Sequence, residues 1–283
     1  MDVGKMNRIN LLFTLDANYL PRLHVVLTSI RLNNQDEDFC VYLMHRSLSR
    51  SELNEIARRC DAYGWPFTPV VVDEALFADA PVTKQYPQEM YYRLLAGQLL
   101  PPDVTRVLYL DPDILVINPL RPLWETALGD HLFAGCAHTG KTELVSSVNR
   151  VRLGVQNDYF NSGVLLMDLA CCRKEIAPQA LFDYAKNHMN TLILPDQDML
   201  NSLFGARVLP LSDVIWNYDA RDYHGYFVTS GGRTDIDWIM AHTAILHFCG
   251  KSKPWQPNYR YRFGVLYKHY EQLTRHEMAR MLQ

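Results

Sequence analysis

The chain has 283 residues, of which 48% are hydrophobic, 21% charged and 11% aromatic. The length allows one large domain or two smaller ones, and the composition excludes a disordered chain, a collagen-like repeat and a bare coiled coil. A formal net charge of −3 without a long basic run excludes a nucleic-acid-binding arm, so no nucleic-acid partner is expected.

Apolar stretches typical of buried strands alternate along the chain with stretches of helical periodicity. Strands are predicted at residues 9–15, 39–44, 67–72, 107–110, 114–117, 131–137, 164–167 and 244–249. Helices are predicted at residues 20–32, 53–60 and 88–100, near Trp124, and from about Phe263 onward, whereas residues 138–158 are assigned to a polar loop. The alternation predicts βαβ units and an α/β fold with a mostly parallel sheet.

The second predicted helix carries its own start and stop signals. Ser49 and Glu52 have the S-x-x-E spacing of a capping box before the apolar positions of residues 53–60. Gly64 is placed to end the helix, because glycine adopts the left-handed conformation that follows many helices.

Targeting and redox signals indicate a cytoplasmic protein. The N-terminal apolar run at 9–15 is too short for a signal segment and lacks a small-residue cleavage site. No other stretch approaches the roughly 18 apolar residues of a spanning helix, so the protein is not expected to cross a membrane. The cysteines show no C-x-x-C spacing, which predicts reduced thiols; they are Cys40, Cys60, Cys136, Cys171, Cys172 and Cys249.

Two carboxylates follow the predicted strand at 107–110, where Asp111 and Asp113 flank a proline. In an extended backbone, residues i and i+2 project to the same side about 6 to 7 Å apart, so the two carboxylates face one place. Carboxylates suit Mg²⁺ or Mn²⁺, and ligands bind outside the carboxyl ends of strands in open parallel sheets. A metal-diphosphate site and a simple Asp-Pro turn both fit this pattern, the turn being the commoner use of it.

A histidine, a glycine and a lysine follow the last predicted strand at three-residue spacing: His247, Gly250 and Lys253. Imidazole is an acceptable ligand for Mn²⁺, glycine lets a phosphate approach the backbone, and a lysine ammonium pairs with phosphate. Each of these residue types, taken alone, more often has a structural role than a role in binding a metal or a phosphate. Together with the aspartate pair they indicate a metal and phosphate site.

Four motifs, in this order, resemble those of a known family. They are Asp111-Pro112-Asp113, Tyr159-Phe160-Asn161-Ser162-Gly163-Val164, Pro195-Asp196-Gln197-Asp198, and the H-x-x-G-x-x-K-P-W segment that begins at His247. From about Arg8 to Trp255 the chain resembles glycosyltransferase family 8, which includes bacterial lipopolysaccharide galactosyl- and glucosyltransferases and glycogenin. The resemblance implies a nucleotide-diphospho-sugar transferase (GT-A type) fold at residues 1–260, with a small helical extension at 261–283.

The resemblance further implies a retaining hexosyltransferase that uses a UDP-sugar and Mn²⁺, with Mg²⁺ as the alternative ion. Asp111 and Asp113 match the family's D-x-D metal ligands, and His247 matches the third protein ligand. Gly250 and Lys253 match phosphate contacts, and the lysine would help to neutralise the UDP leaving group as the glycosidic bond breaks.

A nucleoside pocket is implied at the loop after the first strand. By the resemblance, Asp16 accepts from the uracil imide, Tyr19 stacks on the base and Asn18 lies near the ribose. A carboxylate is a good partner for the uracil N–H, and a phenol ring offers a flat apolar face. The same loop also reads as a helix N-cap before Pro21, and one loop can serve both purposes.

Contacts to the donor sugar come from three further segments. The resemblance places Arg93 against the sugar and its phosphate side, and makes Asn161, Asp196 and Gln197 hydroxyl partners. Their amides and carboxylates supply the paired donors and acceptors that sugar hydroxyls need. Without the resemblance, Arg93 reads as an exposed helix residue and Asp196 as a helix N-cap after Pro195.

Retention of anomeric configuration allows two mechanisms. A covalent intermediate needs a carboxylate beneath the anomeric carbon, for which Asp196 and Asp198 are the candidates. Attack from the face that UDP leaves is favoured because Gln197 is a poor nucleophile. In that mechanism the metal and Lys253 stabilise the diphosphate, the leaving oxygen takes the acceptor's proton, and Gln197 steadies an oxocarbenium-like centre. The residues assigned to catalysis are therefore Gln197, Asp196 and Lys253.

The sequence leaves the identity of both substrates open. UDP-glucose and UDP-galactose differ at one hydroxyl, and His138-Thr139 stand where many relatives carry an acidic residue. The acceptor is a glycan or glycoconjugate, and the oligomeric state is open. An aromatic cluster is either core or a platform for acceptor sugars; it comprises Trp216, Tyr218, Tyr223, Tyr226 and Phe227, with His224.

Two classes of alternative function compete with the transferase. A UDP-sugar-binding protein without turnover predicts loss of a metal ligand or of Lys253, and none is lost. A metal-dependent phosphoesterase usually needs more clustered His and Asp ligands than one D-x-D and one distant histidine. The C-terminal segment at 263–283 is predicted to pack as a helix, with peripheral contact at the inner face of the membrane as the alternative.

Overall fold

The computed structural model describes residues 8–81, 88–137 and 142–281, in which strands and helices alternate. The strands are β1 (Ile9–Thr14), β2 (Phe39–His45), β3 (Phe67–Val71), β4 (Arg106–Leu110), β5 (Ile114–Val116), β6 (Phe133–Ala137), β7 (Phe160–Asp168), β8 (Val208–Leu211), β9 (Tyr218–Asp219) and β10 (Ile245–His247). The α-helices are α1 (Leu20–Asn33), α2 (Arg50–Tyr63), α3 (Glu89–Tyr92), α4 (Ala96–Leu99), α5 (Arg121–Trp124), α6 (Thr142–Leu153), α7 (Leu169–Glu175), α8 (Pro178–His188), α9 (Pro195–Phe204), α10 (Asp213–Trp216), α11 (Tyr223–Thr229), α12 (Ile236–His242) and α13 (Gly264–Met281). Short 3₁₀ helices lie at Ala17–Tyr19, Glu74–Phe77 and Gly205–Arg207.

A seven-stranded sheet forms the centre of the fold, in the order β3-β2-β1-β4-β7-β6-β8. Its pairings are parallel except at β7, which runs antiparallel to both β4 and β6. The prediction of an α/β fold with a mostly parallel sheet is confirmed. The remaining strands form a small second sheet in the order β5-β10-β9.

Both faces of the large sheet are buried. Leu12 of β1 belongs to one core cluster, whereas Leu11 and Phe13 belong to another. Successive side chains of a strand point to opposite faces, so a strand covered on both faces is apolar throughout. This is why continuous apolar runs marked the strands in the sequence.

The predicted ends of the second helix are confirmed. The Ser49 hydroxyl accepts from the Glu52 backbone N–H at 3.3 Å, and the Glu52 carboxylate accepts from the Ser49 N–H at 2.7 Å. Gly64 follows the helix with φ +73°, and its N–H donates to the last carbonyls. The capping box therefore satisfies backbone donors that the first turn leaves without helical partners.

Two predicted elements are wrong in part. The helix predicted at 88–100 is interrupted between α3 and α4, where the Ala96 N–H bonds the Arg93 carbonyl at 3.4 Å in a tighter turn. The polar loop predicted at 138–158 contains α6, although residues 138–141 lie outside the described ones. Among the described side chains of this helix, Val148 and Val151 are 66% and 83% exposed, so these apolar residues do not mark a core-facing stripe.

The strand predicted at 164–167 is longer than expected and begins at Phe160. The polar motif Asn161-Ser162-Gly163 therefore lies within β7 rather than in a loop. Because β7 runs antiparallel to β4, with Val164 opposite Leu110, this motif comes to lie beside the carboxyl end of β4.

The small sheet brings the end of the chain to the same place. His247, the last residue of β10, pairs with Ile114 of β5 and with Asp219 of β9. The Phe248 N–H bonds the Asp113 carbonyl at 2.9 Å. These backbone contacts hold His247 directly beside the Asp-Pro-Asp segment.

The C-terminal helix α13 packs against α1 and α2. Its Glu277 carboxylate accepts from the Arg59 guanidinium and, at 2.6 Å, from the Tyr63 hydroxyl. Packing against α1 and α2 is thus the observed state of this helix. No helix within the described ranges is both long enough and apolar enough for a membrane crossing, and all six cysteines are free thiols.

Replacing Glu277 by alanine is expected to lower the free energy of unfolding by about 2 kcal/mol, because Arg59 would keep a buried charge without its carboxylate. Arg59 is only 2% exposed, while the Glu277 side chain is 30% exposed, which moderates the loss. Urea denaturation measures the effect. Gln272→Ala, at an exposed position of the same helix, should change stability by less than about 0.5 kcal/mol, and an equal loss in both variants would contradict the prediction.

Candidate active site

Two adjoining cavities of about 460 and 470 Å³ open over the carboxyl end of β4. Four residues line both cavities: Arg93, Asp111, Asp113 and Asp196. The first cavity is lined in addition by residues that include Asn161, Gln197, Arg221, His247 and Gly250, and the second by residues that include Asp16 and Tyr19. Most of the predicted site residues therefore face one continuous space.

The predicted metal ligands form a cluster where the two cavities meet. One ligand atom from each of Asp111, Asp113 and His247 lies within 4.8 Å of the others. The Nε2 atom of His247 is 3.3 Å from Oδ1 of Asp113 and 4.0 Å from Oδ2 of Asp111. Two carboxylates and one imidazole are a donor set that suits Mn²⁺ or Mg²⁺.

Gly163 leaves room for the side chains of the metal-ligand cluster, which we call the cradle. A Cβ atom at Gly163 of β7 would collide with Cε1 of His247 and lie 2.6 Å from Oδ2 of Asp111. Glycine therefore lets the strand backbone pass close to the cluster without displacing His247 or Asp111. The cradle and its donor atoms together fit a bound divalent cation.

Charges around Asp113 hold it ionised. Burial alone would raise its carboxyl pKa, but His247 and Lys253 outweigh burial and hold that pKa well below its usual range. The Lys253 ammonium donates to Oδ2 of Asp113 and, at 2.9 Å, to the Phe248 carbonyl. Asp113 is thus a permanent carboxylate at neutral pH, as a metal ligand must be.

Arg93 lies at the centre of the site and not on an exposed helix face. Its guanidinium is 3.1 Å from Asp111 and 3.2 Å from Asp196, and it donates to the Ser162 carbonyl at 2.8 Å. It also stacks 4.6 Å from the centre of the Tyr109 ring. The reading of Arg93 as exposed is wrong, because the tight turn after α3 directs it inward.

A chain of amides connects His247 with Gln197. His247 Nδ1 donates to Oδ1 of Asn217 at 2.8 Å, and Asn217 Nδ2 donates to Oδ1 of Asn161 at 3.0 Å. Asn161 Nδ2 in turn donates to Oε1 of Gln197 at 3.1 Å. With Nδ1 donating to Asn217, Nε2 faces the aspartates, and this is the nitrogen at which a metal ion would take the place of a proton.

Asn217 was missed by the sequence reasoning. It stands between Trp216 and Tyr218 in the aromatic segment, and no spacing links it to His247. Only the pairing of β9 with β10 brings the two side chains together.

Replacing Asn217 by alanine is expected to weaken Mn²⁺ binding about 10- to 100-fold, since partners that orient a metal-bound histidine typically contribute that much. Calorimetric titration measures the affinity, and circular dichroism verifies the fold. Asn54→Ala, at an exposed position of α2, is the matched control and should bind Mn²⁺ as the wild type does. Unchanged affinity in Asn217→Ala would show that His247 needs no orienting partner.

The two aspartates of the Pro-Asp-Gln-Asp motif have different environments. Asp196 lies in the first turn of α9 without capping it, so the N-cap interpretation is wrong; its Oδ2 accepts from Ser162 at 3.0 Å and faces both cavities. Asp198 is fully buried and is held by Arg152 and by the Tyr159 hydroxyl at 2.6 Å. Asp198 is therefore a structural residue and not an available nucleophile.

The loop after β1 adopts the predicted cap. Asp16 accepts from the backbone N–H groups of Asn18 and Tyr19 at 2.9 and 3.3 Å, and thereby caps the 3₁₀ helix Ala17–Tyr19 that leads into α1. Asp16 and Tyr19 also line the second cavity. Asn18 is exposed, donates to the Asp16 carboxylate at 3.0 Å, and lies beside the cavity rather than on its wall.

The proposed aromatic platform is wrong for its two central members. Tyr218 and Tyr226 are buried in the core cluster beneath the small sheet, with ring centres 4.3 Å apart. Trp216 packs against another core cluster. The core interpretation therefore holds for Trp216, Tyr218 and Tyr226.

A mostly parallel sheet whose strand β4 is followed by an Asp-x-Asp pair, with a histidine from the end of β10 beside that pair and a cavity on either side, is typical of the GT-A class of glycosyltransferases. The family model for glycosyl transferase family 8 matches residues 10–258. The chain belongs to glycosyl transferase family 8.

Similar proteins include General stress protein A of Bacillus subtilis, which is 25% identical over 92% of each chain. The lipopolysaccharide 1,2-glucosyltransferase of Escherichia coli K12 is 26% identical over 87% of this chain and 72% of its own. Among solved structures, the galactosyltransferase LgtC with donor and acceptor sugar analogues superposes with a TM-score of 0.77, at 24% identity over 94% of this chain and 96% of its own. This last likeness shows a common fold.

Proposed function

We propose that the chain is a retaining hexosyltransferase that transfers glucose or galactose from a UDP-sugar to a hydroxyl of a glycan or glycoconjugate. The observation that carries the proposal is the cluster of Asp111, Asp113 and His247 at the junction of two cavities. These three residues would hold Mn²⁺ or Mg²⁺, which supplies a Lewis acid for the diphosphate of the donor.

The two cavities match the two halves of such a donor. Asp16 and Tyr19 offer the carboxylate and the ring that a uracil base needs. On the other side of the cluster, Asn161, Asp196 and Gln197 present amide and carboxylate groups toward the space for a sugar. A donor that spans both cavities would place its diphosphate at the cluster.

The surroundings of the sugar space favour attack from the face that UDP leaves. Asp198 is buried behind Arg152 and Tyr159, and Oδ2 of Asp196 is held by Arg93 and Ser162. Neither carboxylate is prepared for a covalent intermediate. Gln197, whose side chain is fixed by Asn161, would steady the oxocarbenium-like centre, while Lys253 would neutralise charge on the leaving diphosphate.

The proposal also covers the arrangement of the chain and its compartment. Residues 1–260 would carry the site and residues 261–283 would be a helical extension, of which helix α13 packs on α1. Free cysteines are consistent with a reducing compartment, which supports our proposal of a cytoplasmic reaction, with the acceptor glycan presented in solution or at the inner face of the membrane.

Release of UDP from a panel of UDP-sugars, measured with Mn²⁺ and with a chelator, tests the function. Chelator-sensitive release from one donor would support the proposal and identify the sugar. Binding of UDP with Mn²⁺ but no release in the presence of glycan acceptors would favour a binding protein instead. Failure to bind UDP at all would overturn the assignment of the site.

A further inference from the structure

Arg221 is a cation in the first cavity that the site described above does not use. It lies two residues after Asp219, at the end of β9, and lines the cavity together with His247, Cys249 and Gly250. Its side chain is 30% exposed. The Arg221 side chain is therefore partly exposed and borders the cavity.

A buried carboxylate fixes the direction of this guanidinium. Nε and Nη2 of Arg221 donate to the two oxygens of Asp219 at 2.9 and 2.7 Å, and the Arg221 N–H donates to the same carboxylate at 3.0 Å. Asp219 is 1% exposed. A bidentate pair of this kind holds the planar fork in one orientation and reduces the entropy lost when a third group binds.

The third guanidinium nitrogen of Arg221, Nη1, lies against Gly250, in the segment after β10 that is predicted to contact phosphate. A Cβ atom at Gly250 would collide with Nη1 of Arg221, and Gly250 has φ +79°, which favours glycine. The guanidinium thus stands directly against the glycine that begins the Gly250–Lys253 segment. An anion that approaches the Gly250 backbone also comes within reach of Nη1.

We propose that Arg221 binds the leaving diphosphate of the donor. It would be a third source of positive charge there, beside Lys253 and the divalent cation that the cluster would hold. The inference rests on the proposed function, because it assumes a nucleoside diphosphate at the cluster. Arg93 is already engaged by Asp111 and Asp196, and Lys253 by Asp113. Arg221 differs from both because its carboxylate partner, Asp219, is not one of the aspartates of the metal cluster.

The competing explanation is that Arg221 only neutralises Asp219. A purely structural role predicts a loss of stability without any preference among ligands. A contact to the β-phosphate predicts a specific loss for ligands that carry one. UDP and UMP differ by that phosphate alone, so their affinities separate the two roles.

The test is equilibrium binding of UDP and of UMP, each with Mn²⁺, to the wild type and to Arg221→Gln. The UDP dissociation constant should rise about tenfold in the variant, as expected for loss of one charge-assisted hydrogen bond, and the UMP constant should change less than twofold. The UDP dissociation constant of Arg221→Lys should lie between those of the wild type and Arg221→Gln. Arg233→Gln, at an exposed position, is the matched control and should leave both constants unchanged.

A further variant keeps the test valid if Arg221→Gln folds poorly. In Asp219→Asn/Arg221→Gln the buried carboxylate is neutral, and the same selective loss of UDP affinity is expected. Equal effects on UDP and UMP, or a raised acceptor KM with unchanged UDP affinity, would overturn the role of Arg221 alone. Failure of the wild type to bind UDP would instead overturn the proposed function.

Discussion

Replacing Asp113 by asparagine is expected to lower the rate of sugar transfer on the order of 10³-fold or more, the loss typical of removing a strong electrostatic contribution to a transition state. The substitution keeps the size of the side chain but removes the charge that faces His247 and Lys253. Metal-dependent UDP binding should be lost as well. Calorimetry with and without Mn²⁺ measures binding, and UDP release measures turnover.

The matched control is Asp103→Asn, which changes an exposed carboxylate in the turn before β4. It should leave both binding and turnover at the wild-type level. If Asp113→Asn still binds UDP in a manner that a chelator reverses, the ion is held elsewhere, and the cluster described above is not the metal site.

Gly163→Ala is expected to weaken Mn²⁺-dependent UDP binding about 100-fold, as a shift of about 1 Å in positioned groups can do. The added methyl group would occupy the place where His247 and Asp111 approach each other, so at least one ligand must move. Gly163 lies inside β7, and its carbonyl accepts from the Asp111 N–H at 2.8 Å. The backbone therefore cannot withdraw without breaking the contact between β7 and β4.

Gly205→Ala provides the comparison for this substitution. A Cβ atom there would lie 3.5 Å from the Asn157 amide, an ordinary contact, and binding should not change. Circular dichroism and thermal denaturation show whether both variants fold. Wild-type affinity in a folded Gly163→Ala protein would mean that the cluster tolerates displacement and that the cradle has no role in metal binding.

The parts of the fold that follow from local pattern were predictable. Strand β1 is mostly apolar because the core covers both of its faces, and the start of α2 is indicated by Ser49 and Glu52. Helix α6 escaped detection because its described side chains are mostly exposed or polar. Local sequence carries the packing signal only where packing is extensive.

The candidate site shows the same division. The two-residue spacing suggested that Asp111 and Asp113 face one place, although Pro112 and Asp113 form a turn rather than an extended strand. The spacing of His247, Gly250 and Lys253, together with the family resemblance, indicated His247 as their partner. Asn217 was beyond reach, because its role arises from the pairing of β9 with β10. Arg93 was misread without the resemblance, since nothing in the sequence indicates that the helix breaks and turns its side chain toward Asp111.

Because the residues of the cluster come from two sheets, cation binding would stabilise the folded protein. Asp111 and Asp113 follow β4 of the large sheet, whereas His247 ends β10 of the small one, so an unfolded chain or a nascent chain that ends before residue 247 has no such site. A cation that binds only the folded form raises the melting temperature as its concentration rises. Scarcity of that ion would then shorten the lifetime of the protein against proteolysis as well as its activity.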